Sequence, residues 1–92
     1  MTPLMASDIQ DIEVRRKKLL WRATHRGIKE MDMLLGGYAR ARIGGMIAYD
    51  LDCLEAIIGI PDQTLLAWAT HQEAVPESQM SPMLGDVLNF RP

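Results

Sequence analysis

Arg22, Arg26 and Glu30 recur at intervals of four residues, and the stretch at residues 24–30, THRGIKE, sets Gly27 between the last two. On a continuous helical path such residues lie one turn apart on one face, so Arg26 and Glu30 would form an exposed pair with Arg22 a turn below. A guanidinium and a carboxylate arranged in this way present oriented charge to another molecule, which is chemistry of binding rather than of bond making. The plainer reading is an ordinary surface pair, worth a few tenths of a kcal/mol. Gly27 adds weight to the first reading, because glycine inside a helix costs about 1 kcal/mol relative to alanine and needs a reason to be there. A junction that wants a positive φ or close packing supplies one.

Reaction chemistry finds little support. The two histidines, His25 and His71, and the single cysteine, Cys53, show no metal-ligand spacing, and no paired carboxylates stand at a recognisable interval. Neither GxxxxGK[ST] nor GxGxxG occurs, so no phosphate-cradling loop is expected. The expectation is a chain with no catalytic residue, no metal ligand and no cofactor-binding residue of its own. His25 reads as a cation at a helix end, Cys53 as an inert core thiol, Trp21 and Trp68 as packing anchors, and the methionines as adaptable core filler.

Charge offers a second function class. Residues 1–14 carry −3, residues 15–42 carry +7 and residues 43–92 carry −6, within a net charge of −2. RRKK at 15–18 with Arg22 and Arg26 makes a basic stripe of the kind that neutralises phosphates, so a small helical nucleic-acid-binding module using residues 15–42 is the alternative. The acidic remainder and a pI near 5.6 oppose it.

The elements that must position these residues are helical. Leu, Met, Ala and Ile dominate and strand-like alternation is missing, which predicts an all-α fold, a small compact bundle of about five short helices in one domain spanning residues 1–92. Ser7 with Asp8 and Asp11 reads as the start of the first helix, which closes near His25-Arg26-Gly27; residues 1–8 form a segment able to stay disordered. Ile28, Met31, Leu34, Leu35 and Tyr38 share the buried side of a second helix, with Glu30, Met33 and Gly37 opposite. Gly36 and Gly37 lie on or beside that exposed face and free it of bulk, and GGYARARIGG at 36–45 reads as a flexible connection containing the end of this helix. A third helix is expected from about Asp50, with Leu51, Leu54, Ile57 and Ile58 buried, stopped by Gly59 and Pro61. Asp62 is the expected cap of a fourth helix bearing Leu65, Leu66, Trp68 and Ala69. Residues 71–77 form a loop, and a last helix opens with Ser81 as cap and Pro82 as its first residue.

A lone cysteine, the lack of a secretory apolar stretch and acids near the N-terminus suit a bacterial cytoplasm. The apolar runs fall far short of the roughly 20 residues that span a bilayer, so no membrane insertion is expected.

The stretch RRKKLLWRATHRGIKEMDMLLGGYA resembles the opening of the SdhE-type flavinylation factors, assembly proteins of succinate dehydrogenase. Their hallmark, RGxxE with an acid two places on, is matched by Arg26, Gly27, Glu30 and Asp32. DLDCLEAIIGIPDQTLLAW resembles the family's helix-loop-helix with its DxxLxxW pattern, supplied by Asp62, Leu65 and Trp68; the likeness covers roughly residues 15–90. Gly36-Gly37 before Tyr38, and Gly59 before the PD turn, depart from the usual pattern. The resemblance implies a chaperone that binds the flavoprotein subunit of succinate dehydrogenase, and by extension that of fumarate reductase, and promotes covalent attachment of FAD to a histidine of that client. The FAD belongs to the client, and the factor supplies no nucleophile. The implied partner-binding residues are Arg26, Gly27 and Glu30, flanked by Asp32, Arg22 and Tyr38; no nucleic acid is implied as partner.

Overall fold

The computed structural model describes the backbone of residues 6–91 and the side chains from Asp11 to Arg91. Among the described residues five α-helices follow one another, α1 (Ala6–Thr24), α2 (Lys29–Arg42), α3 (Ala48–Ile58), α4 (Asp62–Ala69) and α5 (Pro82–Leu88), with one 3-10 turn at Ile43–Gly45. The all-α expectation holds, and no strand occurs among the described residues. α1 is already helical at Ala6, ahead of the expected Ser7 cap. Residues 6–8 of the N-terminal segment thus lie in a helix, and residues 1–5 fall outside the described residues.

One apolar core joins the helices. Leu19 and Ala23 enter it from α1, Met31, Leu35, Tyr38 and Ala39 from α2, Leu51, Leu54, Ile57 and Ile58 from α3, Leu65 and Trp68 from α4, and Leu84, Val87 and Leu88 from α5. These positions repeat every three or four residues, so each helix turns one apolar stripe inward. α1 lies along α2 and also against α3, while α4 and α5 pack on α2 from elsewhere in the core. Met31 and Met46 fill core space as expected, but Met33 and Met80 face solvent.

Chain ends of the helices follow local chemistry. Ser81 Oγ accepts the Leu84 N–H at 3.1 Å and Pro82 is the first residue of α5, the arrangement expected there. α3 starts at Ala48, two residues before Asp50, because Asp50 acts within the first turn: its Oδ2 accepts the Ile47 N–H at 3.2 Å. Asp62 is the first residue of α4 and not its cap; Pro61 holds the cap position without a side-chain bond.

Further expectations are corrected. The stretch from Gly36 to Gly45 is no flexible connection: Gly36–Arg42 continue α2 and Ile43–Gly45 make the 3-10 turn. Gly36 and Gly37 do not open a face to solvent. A Cβ on Gly36 would stand 3.0 Å from Thr24 Cγ2 and 3.1 Å from the Ala23 carbonyl oxygen, and one on Gly37 would stand 2.9 Å from the Phe90 ring, so both serve packing within the chain. Finally, Trp68 is a core anchor, but Trp21 is 60 % exposed. Cys53 is half-buried on α3, outside the central cluster.

Candidate functional site

The turn between α1 and α2 is made by residues 25–28. Gly27 sits there at φ +88°, and nothing lies within 4 Å of where its Cβ would be. The positive-φ explanation of this glycine therefore holds, and close packing within the chain does not contribute. Ile28 then caps α2 in an extended conformation, its carbonyl accepting from the Met31 and Asp32 N–H groups.

Because the turn interrupts the helix, Arg26 and Glu30 do not share a continuous helical face, and the expected pair between them does not form. Arg26 turns inward, with 9 % of its side chain exposed. Its Nε donates to Asp62 Oδ1 at 2.6 Å, its Nη2 to the Ile60 carbonyl at 2.7 Å and its Nη1 to the Ile58 carbonyl. Its backbone N–H donates to Asp32 Oδ1 at 2.6 Å. The partners share a physical logic. Ile58 ends α3, where carbonyls lack helical donors and the dipole favours a cation. Asp62 and Asp32 lie in the first turns of α4 and α2, where the dipole favours an anion. One guanidinium, planar and rich in donors, thus ties the α1–α2 turn to the α3–α4 corner.

Glu30 points the other way. It is exposed on the first turn of α2, with no ion pair or side-chain hydrogen bond among the described residues, and it borders an open groove with Met33, Leu34, Phe90 and Arg91. Arg22 is also exposed and approaches Glu55 of α3 at 3.6 Å. It lines a cleft of about 250 Å³ with Trp21, His25, Arg26, Ile58 and Asp62.

Tyr38 is 6 % exposed, and its ring meets Phe90 edge-on at 6.0 Å. Burial raises its phenol pKa above the ordinary value, and Asp86 acts in the same direction against the opposing charge of Arg42. Its ring packs in the core, and the residue also lines surface clefts beside Arg42 and Asp86. The structure thus brings Arg26, Gly27 and Asp32 together, keeps Glu30 and Arg22 at the surface on either side of the turn, and sets Tyr38 apart in the core. The motif containing Asp62 was visible in the sequence, but its pairing with Arg26 was not, since two of the other Arg26 partners are main-chain carbonyls that carry no residue signal.

The basic stripe is largely engaged. Arg15 bridges Asp52 at 2.6 Å and Glu55 at 3.0 Å, and hydrogen bonding to Asp52 raises its pKa further. Arg16 bonds Glu13 at 2.7 Å and the Met46 carbonyl at 2.7 Å. These bonds fasten α1 to α3 and to the turn before it, and they leave fewer cations for phosphates than the sequence suggests.

The structure is thus a small helical scaffold that displays one buttressed turn with exposed charge beside it. Residues 17–91 match the family described as flavinator of succinate dehydrogenase, and the chain belongs to that family. The FAD assembly factor SdhE of Acetobacter pasteurianus is 38 % identical over 74 residues, covering 80 % of this chain and 68 % of that one. The mitochondrial succinate dehydrogenase assembly factor 2 of Dictyostelium discoideum is 34 % identical over 71 residues, 77 % of this chain and 50 % of its own. That of Debaryomyces hansenii is 33 % identical over 61 residues, 66 % of this chain and 43 % of its own. The chain thus spans half the length or less of these two mitochondrial relatives. No solved structure matches it. No helix among the described residues is long and apolar enough to cross a membrane.

Proposed function

We propose that this protein is an assembly factor that binds the flavoprotein subunit of succinate dehydrogenase and promotes its covalent attachment of FAD, with the corresponding subunit of fumarate reductase as a second client. Membership of the flavinator family over residues 17–91 carries this reading. The turn geometry supports it: Gly27 presents backbone without a side chain, Arg26 and Asp32 hold that backbone in place, and Glu30 stands beside it uncommitted. The bond to the flavin is formed by a histidine of the client. The factor holds the client in a conformation suited to that reaction and contributes neither a nucleophile nor a flavin of its own. Its place of action is the bacterial cytoplasm, before the client joins its membrane partners.

The test is the in-gel fluorescence of covalent flavin on the client subunit in a strain lacking this gene. Wild type restores the signal and Glu30→Ala restores it poorly. Undiminished flavin on the client without the gene would overturn the assignment.

A further inference from the structure

Trp21 is the anomaly of the surface. A tryptophan carries more apolar area than nearly any other side chain, and this one leaves 60 % of itself in solvent while Trp68 keeps 5 %. It is also backed by a second ring. Its ring stacks on His25 with centroids 4.5 Å apart and planes 12° from parallel. His25 Nδ1 lies 2.8 Å from the Trp21 carbonyl oxygen and 3.0 Å from Thr24 Oγ1, so a polar contact at this one ring nitrogen ties the imidazole to the end of α1. An exposed ring ordered in advance loses little freedom on binding, which is the property of an interface anchor. Stability of the free chain gives no reason for it, since burial would bring more.

Its position supplies the occupant. Trp21, Arg22 and His25 line the same cleft as Arg26, Ile58 and Asp62, and Arg26 is the residue that leads into Gly27. The cleft therefore adjoins, through Arg26, the α1–α2 turn assigned above to the client. Resting on that assignment, we infer that Trp21, stacked on His25, is an aromatic anchor of the interface with the client flavoprotein. It receives an apolar or aromatic side chain of the client, while Arg22 exchanges Glu55 for a client carboxylate. The 3.6 Å separation and the exposure of both partners make that exchange easy.

The experiment uses the full-length factor labelled with 5-fluorotryptophan and the isolated flavoprotein subunit of succinate dehydrogenase. Two fluorine resonances are expected, the one from Trp21 identified by its loss in Trp21→Phe. Addition of client shifts or broadens that resonance and leaves the chemical shift of the Trp68 signal close to its free position. In parallel, Trp21→Ala keeps the helical signal and melting temperature of wild type and weakens client binding by about 10- to 30-fold, whereas Trp21→Phe retains most of it. Binding of Trp21→Ala within twofold of wild type, or an unmoved Trp21 resonance in a complex that forms, overturns the anchor and leaves the assembly function intact. Failure of wild type to bind the subunit at all overturns both.

Discussion

At φ +88° with open space around it, Gly27 is required by its own backbone and not by a neighbour. An L-residue there costs about 1–2 kcal/mol, so Gly27→Ala should lower the unfolding free energy by that amount, read as a lower urea midpoint, while leaving the fold in place. Asparagine tolerates this region better, so Gly27→Asn should recover part of the stability. If the turn also docks a partner, Gly27→Asn should still bind client poorly, because it adds bulk where backbone was presented. Arg26 acts by a different route. Its donors serve Asp62 and the carbonyls of Ile58 and Ile60 inside the protein, so its loss exposes three acceptors at once. Removing one partner of a buried pair commonly costs about 3–5 kcal/mol; with Asp62 somewhat exposed, Asp62→Ala should cost about 2–3 kcal/mol in chemical denaturation. Arg26→Lys should be nearly as harmful, because an ammonium cannot span the same three acceptors in a plane. A loss below about 0.5 kcal/mol in both would mean that the clamp is not formed in solution.

Between helices, the two adjacent glycines of α2 have unequal roles. At Gly36 a new Cβ meets the Ala23 carbonyl oxygen at 3.1 Å and Thr24 Cα at 3.2 Å, main-chain atoms that move only if α1 moves. At Gly37 it meets the edge of the Phe90 ring, a side chain near the chain end that can swing aside. Gly36→Ala should therefore destabilise by about 1–2 kcal/mol despite a helix-propensity gain of about 1 kcal/mol. Gly85→Ala, inside α5 with nothing within 4 Å, should show that gain undiminished and serves as the control. Calorimetric melting of the two variants reads the contrast, and equal stabilisation by both would refute close contact at Gly36. This pair also shows where the sequence was legible and where it was not. Apolar residues at three- and four-residue intervals marked every helix from α1 to α5, and Ser81-Pro82 marked a terminus, since those signals are local. Gly36, Gly37 and the exposed ring of Trp21 were misread because a glycine or tryptophan says nothing of which element will lie across from it. The Arg26–Glu30 spacing misled for a related reason: its meaning depended on an unbroken helix, and Gly27 breaks it.

Over the whole molecule, the segregation of charge along the chain becomes a means of holding it together. Arg15 and Arg22 of the basic segment reach Asp52 and Glu55 of the acidic half, and Arg26 reaches Asp62, so α1 is fastened to α3, and the α1–α2 turn to α4, by the opposition that the sequence shows. The stripe that invited a nucleic-acid reading is thereby partly neutralised in the fold, while Lys17 and Lys18 remain exposed. Wild type should consequently show no binding to a short duplex tighter than the roughly 10⁻⁴ M typical of weak non-specific contact at physiological salt. Replacing Asp52→Asn together with Glu55→Gln frees Arg15 and Arg22. Binding by fluorescence anisotropy should then strengthen, and its log–log salt dependence should steepen by about 2, at nearly 1 for each phosphate newly neutralised. The stability cost should be small because the pairs are solvent-facing. Tight, salt-sensitive binding by wild type itself would restore the nucleic-acid reading. Binding that appears only in the double variant would show that the acids of α3 mask the basic face of α1.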